Sequence, residues 1–466
     1  MQLARSIFKA YDIRGVVDDT LTEPVVRAIG AALGLLIHRR GRPVCVIGRD
    51  GRLSGPRLVD ALATGLMDAG IDVIDIGQVP TPVVYFATVQ TGCGTGVAVT
   101  GSHNPPQYNG LKMMVAGQTL WGDDIQELYA LITSGQVEAH VAAVGPEQRG
   151  RRSADPTMVK TYTDAVVADV QLSRRIAVAI DAGNGVAGGV APQLLSRLGA
   201  SVTPLFCEVD GQFPNHHPDP AHVENLHDLI ACVRSTDAEI GLAFDGDGDR
   251  LGVVTKSGAV IWPDRQLMLY AAEVLRHRPG GQIIFDVKCT RHVASWVKQH
   301  GGEPLMWKTG HSLIKAKLKE TSAPLAGEMS GHIFFNDRWF GFDDALYTAA
   351  RLLEIVSRVD DPSALLESLP DSSSTPELQL ATEEGGNFIL VEQLKARGVF
   401  PTSVAQITID GVRVEYADGF GLARPSNTTP VVVMRFEADT QEALMRIQAE
   451  FRSNFEAIAP GVRLPF

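Results

Sequence analysis

The chain has 466 residues, a formal net charge of −12, 45% hydrophobic residues and 21% charged residues. Domains run to roughly 100–200 residues, so three or four are expected. The acidic balance argues against general nucleic-acid or anionic-membrane binding, and any phosphate site must be a local basic patch working against the overall field.

Apolar strand-type runs alternate with helical patterns along the chain, the signature of α/β architecture. Residues 1–15 are polar and lack the apolar stretch of a secretory signal. Residues 21–41 read as a helix, with Thr22 at the N-cap, Pro24 in the first turn and Gly41 after Arg39-Arg40. Within it, residues 28–37 form the longest apolar run, too short to cross a bilayer. Strands are expected at 43–48 and 72–76. The five cysteines, Cys45, Cys93, Cys207, Cys232 and Cys289, include no CxxC pair and read as reduced, mostly buried thiols. A cytoplasmic protein with no membrane and no nucleic-acid partner is expected.

An internal repeat organises the first 370 residues. Cys45-Val-Ile-Gly-Arg-Asp-Gly, Val178-Ala-Ile-Asp-Ala-Gly-Asn and Ile283-Ile-Phe-Asp-Val-Lys-Cys each read as strand, polar loop, then helix. Some tens of residues after each comes a strand ending in a second polar loop. These loops are Thr100-Gly-Ser-His-Asn-Pro, Asp245-Gly-Asp-Gly-Asp-Arg and Gly327-Glu-Met-Ser-Gly-His. Polar stretches at 144–156 and 369–376 read as linkers. Beyond the second, strand-like runs at 407–409 and 431–436 and a helix from about Thr440 read as a small α+β domain. The expected division is 1–149, 150–253, 254–370 and 371–466: three topologically related α/β domains with mixed sheets, then a C-terminal α+β domain. If they pack around one point, their loops line a central cleft.

Four loops carry chemistry. In the first, Ser102 stands exposed at a strand end, with Gly101 allowing a sharp turn and Pro105-Pro106 stopping the strand; a turn-forming serine is the competing reading. A serine needs activation or prior modification to act as a nucleophile. In the second, Asp245, Asp247 and Asp249 repel one another unless a hard cation lies between them, and the alternating glycines let them converge. A calcium loop of the EF-hand type fails, because Arg250 stands where glycine is needed and Lys256 where glutamate is needed. In the third, Glu328 and Ser330 share the period of one strand face and suit sugar hydroxyls, although an ordinary polar hairpin is equally compatible. In the fourth, Arg424-Pro-Ser426-Asn427-Thr428-Thr429 is a dense donor array suited to a phosphate dianion, or else an Asn/Ser/Thr turn. Gly183-Asn-Gly185-Val-Ala-Gly188 matches a dinucleotide fingerprint, but Asp181 would sit near the pyrophosphate, and the repeat already accounts for a turn there. On the residues alone, a phosphoryl-transferring mutase, a metal-dependent sugar phosphatase and a calcium- or sugar-binding module all remain in view.

Phe8-Lys-Ala-Tyr-Asp-Ile-Arg-Gly15 and the four loops, in this order, resemble the α-D-phosphohexomutase superfamily from Phe8 to Thr428. The sugar loop Gly-Glu-Met-Ser-Gly-His, with Phe213-Pro-Asn-His-His-Pro-Asp-Pro and Asp337-Arg-Trp-Phe-Gly-Phe-Asp-Asp344, looks like the bacterial bifunctional phosphomannomutase/phosphoglucomutase group. The resemblance implies four domains around a deep cleft and an isomerase of hexose 1- and 6-phosphates, mannose or glucose. It implies a phosphoserine at Ser102 and one Mg²⁺ held by Asp245, Asp247, Asp249 and a phosphoserine oxygen. Hexose 1,6-bisphosphate would be the bound intermediate. Sugar recognition falls to Glu328 and Ser330, and phosphate recognition to Arg424, Ser426, Asn427 and Thr428. Tyr11, Arg14, Lys112, Arg250, Lys288, Thr309, Gly310 and His311 would line the cleft, with Arg14, Lys112 and His311 as unranked candidates for proton transfer. The partner implied is a small phosphosugar, and the chain is expected to be a monomer or weak dimer.

Overall fold

A computed structural model describes residues 3–466. Its first three sheets share one topology. In the first, strand Val44–Arg49 lies between parallel strands Asp72–Gln78 and Gly96–Val99, and Tyr108–Val115 adds antiparallel to the last. In the second, Ala177–Asp181 lies between Ser201–Leu205 and Ile240–Phe244, followed by antiparallel Leu251–Thr255. In the third, Gln282–Asp286 lies between Glu303–Trp307 and Leu325–Gly327, followed by antiparallel Ile333–Phe335. The first and third strands of each unit are buried on both faces, which is why they read as near-continuous apolar runs, and all of Ile240–Phe244 is buried; the second strands, Asp72–Gln78, Ser201–Leu205 and Glu303–Trp307, are partly exposed.

This topology makes the three polar loops one and the same turn. Residues 100–107, 245–250 and 328–332 each join the third strand of a unit to its antiparallel fourth. Open α/β sheets bind ligands beyond the carboxyl ends of their parallel strands, where these turns lie. The fourth unit is a six-stranded antiparallel sheet covered by helices Gly386–Arg397 and Gln441–Ile458, the latter capped by Thr440. The architecture is three related α/β units and a C-terminal α+β unit.

Several local expectations change. Thr22 sits at the N-cap of helix Glu23–Arg40, but its side chain makes no capping bond. Both polar stretches read as linkers carry strand: Arg152–Ala154 extends the first sheet beside Asp72–Gln78, and Ser373–Ser374 pairs with Val431–Ala438 in the fourth. Sheet membership thus carries the first unit to Ala154, and Val260–Ile261 carries the second to Ile261. The 407–409 run is strand only at its start, within Ala405–Ile407. Glu328 and Ser330 lie in a turn rather than on a strand face, since the strand ends at Gly327.

One apolar core runs through all three α/β units. Phe86 of the first unit stacks on Trp339 of the third at 5.8 Å and meets Tyr162 of the second edge-on at 5.4 Å. Buried Asp344 accepts hydrogen bonds from Tyr162 at 2.8 Å and from the Trp339 indole at 3.1 Å. The fourth unit has a core of its own and docks through buried charge. Arg413 donates to the carbonyls of Val287 and Cys289 at 2.6 and 2.7 Å, pairs with Glu415 and lies over Phe420. Arg435 pairs with Asp264 at 3.0 Å, and Glu437 accepts from Thr290 at 2.7 Å.

The dinucleotide-like glycines serve packing. Gly185 lies against Gly246 of the aspartate loop, where a Cβ would sit 3.0 Å from its backbone. Asp181 accepts from Gly183 N at 2.8 Å and pairs with His216 at 3.0 Å. Burial lowers the His216 pKa, but the Asp181 bond outweighs it and the net shift is upward.

Two outcomes follow for stability. Arg413→Ala should weaken docking of the fourth unit by about 3–5 kcal/mol, because it strands buried acceptors and Glu415. Limited proteolysis would show it as faster cleavage at 369–376, whereas Arg446→Ala, which removes an exposed pair with Asp418, should change stability by less than about 0.5 kcal/mol. A raised folded-state pKa stabilises below the unfolded value and fades as pH rises through the folded one. The stability lost in His216→Gln should therefore be full below about pH 6.5 and shrink at higher pH, as denaturant midpoints across that range would show.

Candidate active site

The site begins where the first two units touch. Ser102 is not exposed in the way its place at a strand end suggests: the aspartate loop packed against it leaves it 1% exposed, and it sits in the left-handed region at φ +49. Its Oγ lies 3.3 Å from Asp245 Oδ2 and 3.1 Å from His103 Nδ1. The two loops approach so closely that a Cβ on Gly246 would lie 2.4 Å from the Ser102 carbonyl oxygen. Gly248 has φ +77, so the alternating glycines do different work: one permits contact and the other permits the turn.

Asp245, Asp247 and Asp249 are all 0% exposed, with one carboxylate oxygen from each inside a 4.8 Å cluster. Asp245 Oδ1 accepts the backbone N–H groups of Gly248, Asp249 and Arg250 at 3.0–3.1 Å. Lys112 donates to Asp247 at 2.8 Å and Asp249 at 2.5 Å, and Thr81 donates to Asp247 at 2.7 Å. Three carboxylates crowd a water-poor place in which Lys112 is the one cation hydrogen-bonded to two of them. Burial and the Asp249 and Asp247 charges push the Asp245 carboxyl well up. Burial also opposes ionisation of Asp249, but Lys112 and His332 hold its carboxyl well below the usual range. Asp247 Oδ1 and Asp249 Oδ1 are buried without completing a hydrogen bond. A buried carboxylate oxygen left that way is costly, and a divalent cation with oxygen ligands satisfies it, so the residues fit such an ion. Arg250 lies at the edge, its Nε 4.0 Å from Asp245.

The site continues into the third unit through His332. Its Nε2 is 3.3 Å from Asp249 and its Nδ1 is 3.4 Å from Glu328 and 3.1 Å from Ser330 Oγ. Glu328, 1% exposed, also accepts Gly310 N at 2.6 Å. His311 begins helix His311–Thr321, with Nδ1 3.6 Å from Asp343. Burial, reinforced by Lys315 and Lys112, drives its pKa well below the ordinary imidazole value, so it is neutral at pH 7.

Tyr11 joins three units: its hydroxyl donates to the Thr309 carbonyl at 2.9 Å and accepts from Asn427, and its ring packs against Gly310. Burial pushes its pKa up to about 12. Arg424 donates to Asp410 at 3.0 Å, and Asp410 also accepts Thr309 N at 3.0 Å. Ser426 Oγ accepts the N–H groups of Thr428 and Thr429 at 3.3 Å, folding the loop on itself. Lys288 pairs with Glu377 at 2.9 Å, and Arg14 bonds Asn104 of the serine loop and Asp12. The loop residues singled out in the sequence thus lie along one series of contacts running from Ser102 to Asn427, with Lys288 held apart by Glu377. Sequence reading passed over the acids that tie it together, Asp50, Asp286, Asp343, Glu377 and Asp410, together with Arg52. Asp50 and Asp286 were legible, since each closes the first strand of a repeat.

Comparison with known proteins agrees with this layout. The chain matches the phosphoglucomutase/phosphomannomutase family in four consecutive stretches: α/β/α domain I at residues 5–138, domain II at 160–258, domain III at 262–372 and the C-terminal domain at 377–454. It is 55% identical over 456 residues to a phosphoglucomutase of Neisseria gonorrhoeae, covering 98% of each chain. It is 51% identical over 465 residues to a phosphomannomutase/phosphoglucomutase of Pseudomonas aeruginosa, covering 100% of this chain and 98% of that one. The crystal structure of a family protein from Burkholderia thailandensis, 56% identical, superposes over 100% of both chains with a TM-score of 0.94. No helix among the described residues is long and apolar enough to cross a membrane. With four domains in order and half or more of its residues shared with these relatives, the chain belongs to the phosphoglucomutase/phosphomannomutase family, a family of phosphoryl-transferring isomerases.

Proposed function

We propose that this protein interconverts hexose 1-phosphate and hexose 6-phosphate, of mannose, glucose or both, by way of a phosphoryl group carried on Ser102 and a bound hexose 1,6-bisphosphate. The observation that carries the reading is the contact of Ser102 Oγ with Asp245, at 3.3 Å, in a buried loop where Asp247 Oδ1 has no partner and Asp249 Oδ1 has only His332 near it. Asp245, Asp247, Asp249 and a phosphoserine oxygen would hold one Mg²⁺, which when bound neutralises charge on the transferring group.

In this reading the sugar 1-phosphate sits with its phosphate in the 424–428 loop, its hydroxyls against Glu328 and Ser330, and O6 facing Ser102. The P–O bond to Ser102 breaks as the bond to O6 forms, and the O6 proton passes to a base. The bisphosphate then turns in the cleft. Its O1 phosphoryl group returns to Ser102, the proton returns to O1, and sugar 6-phosphate leaves. His311 is the candidate base on geometry, because its Nδ1 is buried beside the sugar loop with no hydrogen-bond partner. Lys112 does not: burial disfavours its charge, but Asp247 and Asp249 more than offset this and hold it as ammonium. Lys112 and Arg250 instead stabilise charge on the phosphoryl oxygens. Tyr11, Thr309, Gly310, Lys288 and Arg14 shape the walls, and exclusion of water by the packed loops protects the phosphoserine from hydrolysis.

Ser102→Ala should retain the fold and lower isomerisation in a coupled assay on the order of 10³-fold or more. Intact mass should show one phosphate on the wild-type chain, located on Ser102 and lost with excess sugar phosphate; steady release of inorganic phosphate without isomer would point to a phosphatase instead. Dialysis against a chelator should abolish turnover and Mg²⁺ should restore it, with Asp247→Asn raising the Mg²⁺ needed for half-activity by roughly tenfold or more.

A further inference from the structure

We propose that Asp50 and Arg52 form a clamp that positions Ser102 against the aspartate loop, a role that rests on the phosphoserine reading. Arg52 follows strand Val44–Arg49 by three residues and its side chain is fully buried. Its five N–H donors are all engaged. Nη2 reaches the carbonyls of Ser102 at 2.9 Å and Asn104 at 2.5 Å, and Nη1 reaches those of Pro105 at 2.6 Å and Tyr108 at 2.9 Å. Nε completes the set on Asp50 at 3.2 Å. A guanidinium is the one side chain with a rigid fork able to take so many acceptors at once. With no donor left over for substrate, Arg52 is a positioning residue.

Asp50 holds the entry to the same loop. It accepts Thr100 Oγ1 at 2.8 Å and Gly101 N at 3.2 Å, and Thr100 Oγ1 accepts Ser102 N at 2.8 Å. Gly101 is required because a Cβ there would lie 2.5 Å from the Arg52 guanidinium carbon. The second unit closes the clamp: the Phe213 ring lies over the guanidinium at 5.2 Å, and a Cβ on Gly211 would lie 2.6 Å from Arg52 Cα. Left-handed backbone at a serine persists only where its surroundings over-determine it, and this clamp supplies that constraint.

The third unit repeats half of the device. The pairing of Arg49 with Val99 sets Asp50 beside Thr100, and that of Phe285 with Gly327 sets Asp286 beside Glu328. Asp286 likewise accepts the next loop amide, Met329 N, at 3.1 Å, and a threonine hydroxyl, Thr309 Oγ1, at 2.7 Å. Two residues on, where the first unit has Arg52, the third has Lys288, which reaches out to Glu377. One fold position thus carries a loop-holding guanidinium in the first unit and an outward-reaching ammonium in the third.

The test uses Arg52→Lys and Thr100→Val, each assayed with glucose 1-phosphate and followed by circular dichroism and intact mass. Both should keep the native spectrum and a KM within about threefold of wild type, while kcat falls roughly 10²-fold for Arg52→Lys, the scale of a nucleophile displaced by about 1 Å. Unchanged kcat in a folded variant overturns the clamp, as does a rate loss that merely tracks the fraction of folded protein. Should Arg52→Lys not fold, Thr100→Val decides alone, because it leaves Arg52 in place. A wild-type chain without phosphate on Ser102 is a separate result, which removes the phosphoserine reading and the clamp with it.

Discussion

Three carboxylates within five residues, all shut away from water, are the constraint around which this molecule is arranged. Their mutual repulsion is strong where the dielectric is low, so the surroundings must supply positive charge and donors or the loop would not stay folded. Lys112 comes from the fourth strand of the first sheet, Thr81 from the start of a first-unit helix, and His332 from the turn of the third unit. The aspartate loop is in this sense the electrostatic joint of the protein. Neighbouring units contribute to it because no single unit can neutralise it.

The threefold repeat gives this arrangement its economy. A turn between a parallel third strand and an antiparallel fourth occurs once per unit, and each unit fills it differently: a hydroxyl, a set of carboxylates, or a Glu/Ser/His group. Contacts between the loops, Gly246 against the Ser102 carbonyl and Arg250 beside His332, set the three turns beside one another. The fourth unit is unrelated in topology and adds what the turns lack, a loop rich in hydroxyl and amide donors, held near by Asp410 and Tyr11.

Much of this was legible in the sequence, for physical reasons. Buried parallel strands announce themselves as apolar runs, and Asp245 to Asp249 between two such runs has few explanations other than a cation site. What could not be read is what depends on distant partners. Nothing near Arg52 in the chain says that its acceptors lie fifty residues on. Glu328 and Ser330 had strand spacing because a turn of that composition also alternates, and only the hydrogen bond from Glu328 N to His332 O reveals the reversal. The polar stretches at 144–156 and 369–376 looked loose because edge strands can be short and polar, which protects a sheet edge. The resemblance supplied the cleft-lining set that spacing alone would not have assembled.

The aromatic meeting point of Phe86, Tyr162 and Trp339 has a consequence for how such a protein can be taken apart. Because the α/β repeats share this core besides smaller ones of their own, cutting out any of them would bare large rings and the Asp344 carboxylate to water. The repeats are therefore copies in topology whose stabilities are tied to one another through that common centre. The last unit shares none of that aromatic centre: it keeps a separate interior and adheres through arginines, carbonyls and a small apolar contact of Phe420 and Leu422 with Val287, so it can come away with its own core intact.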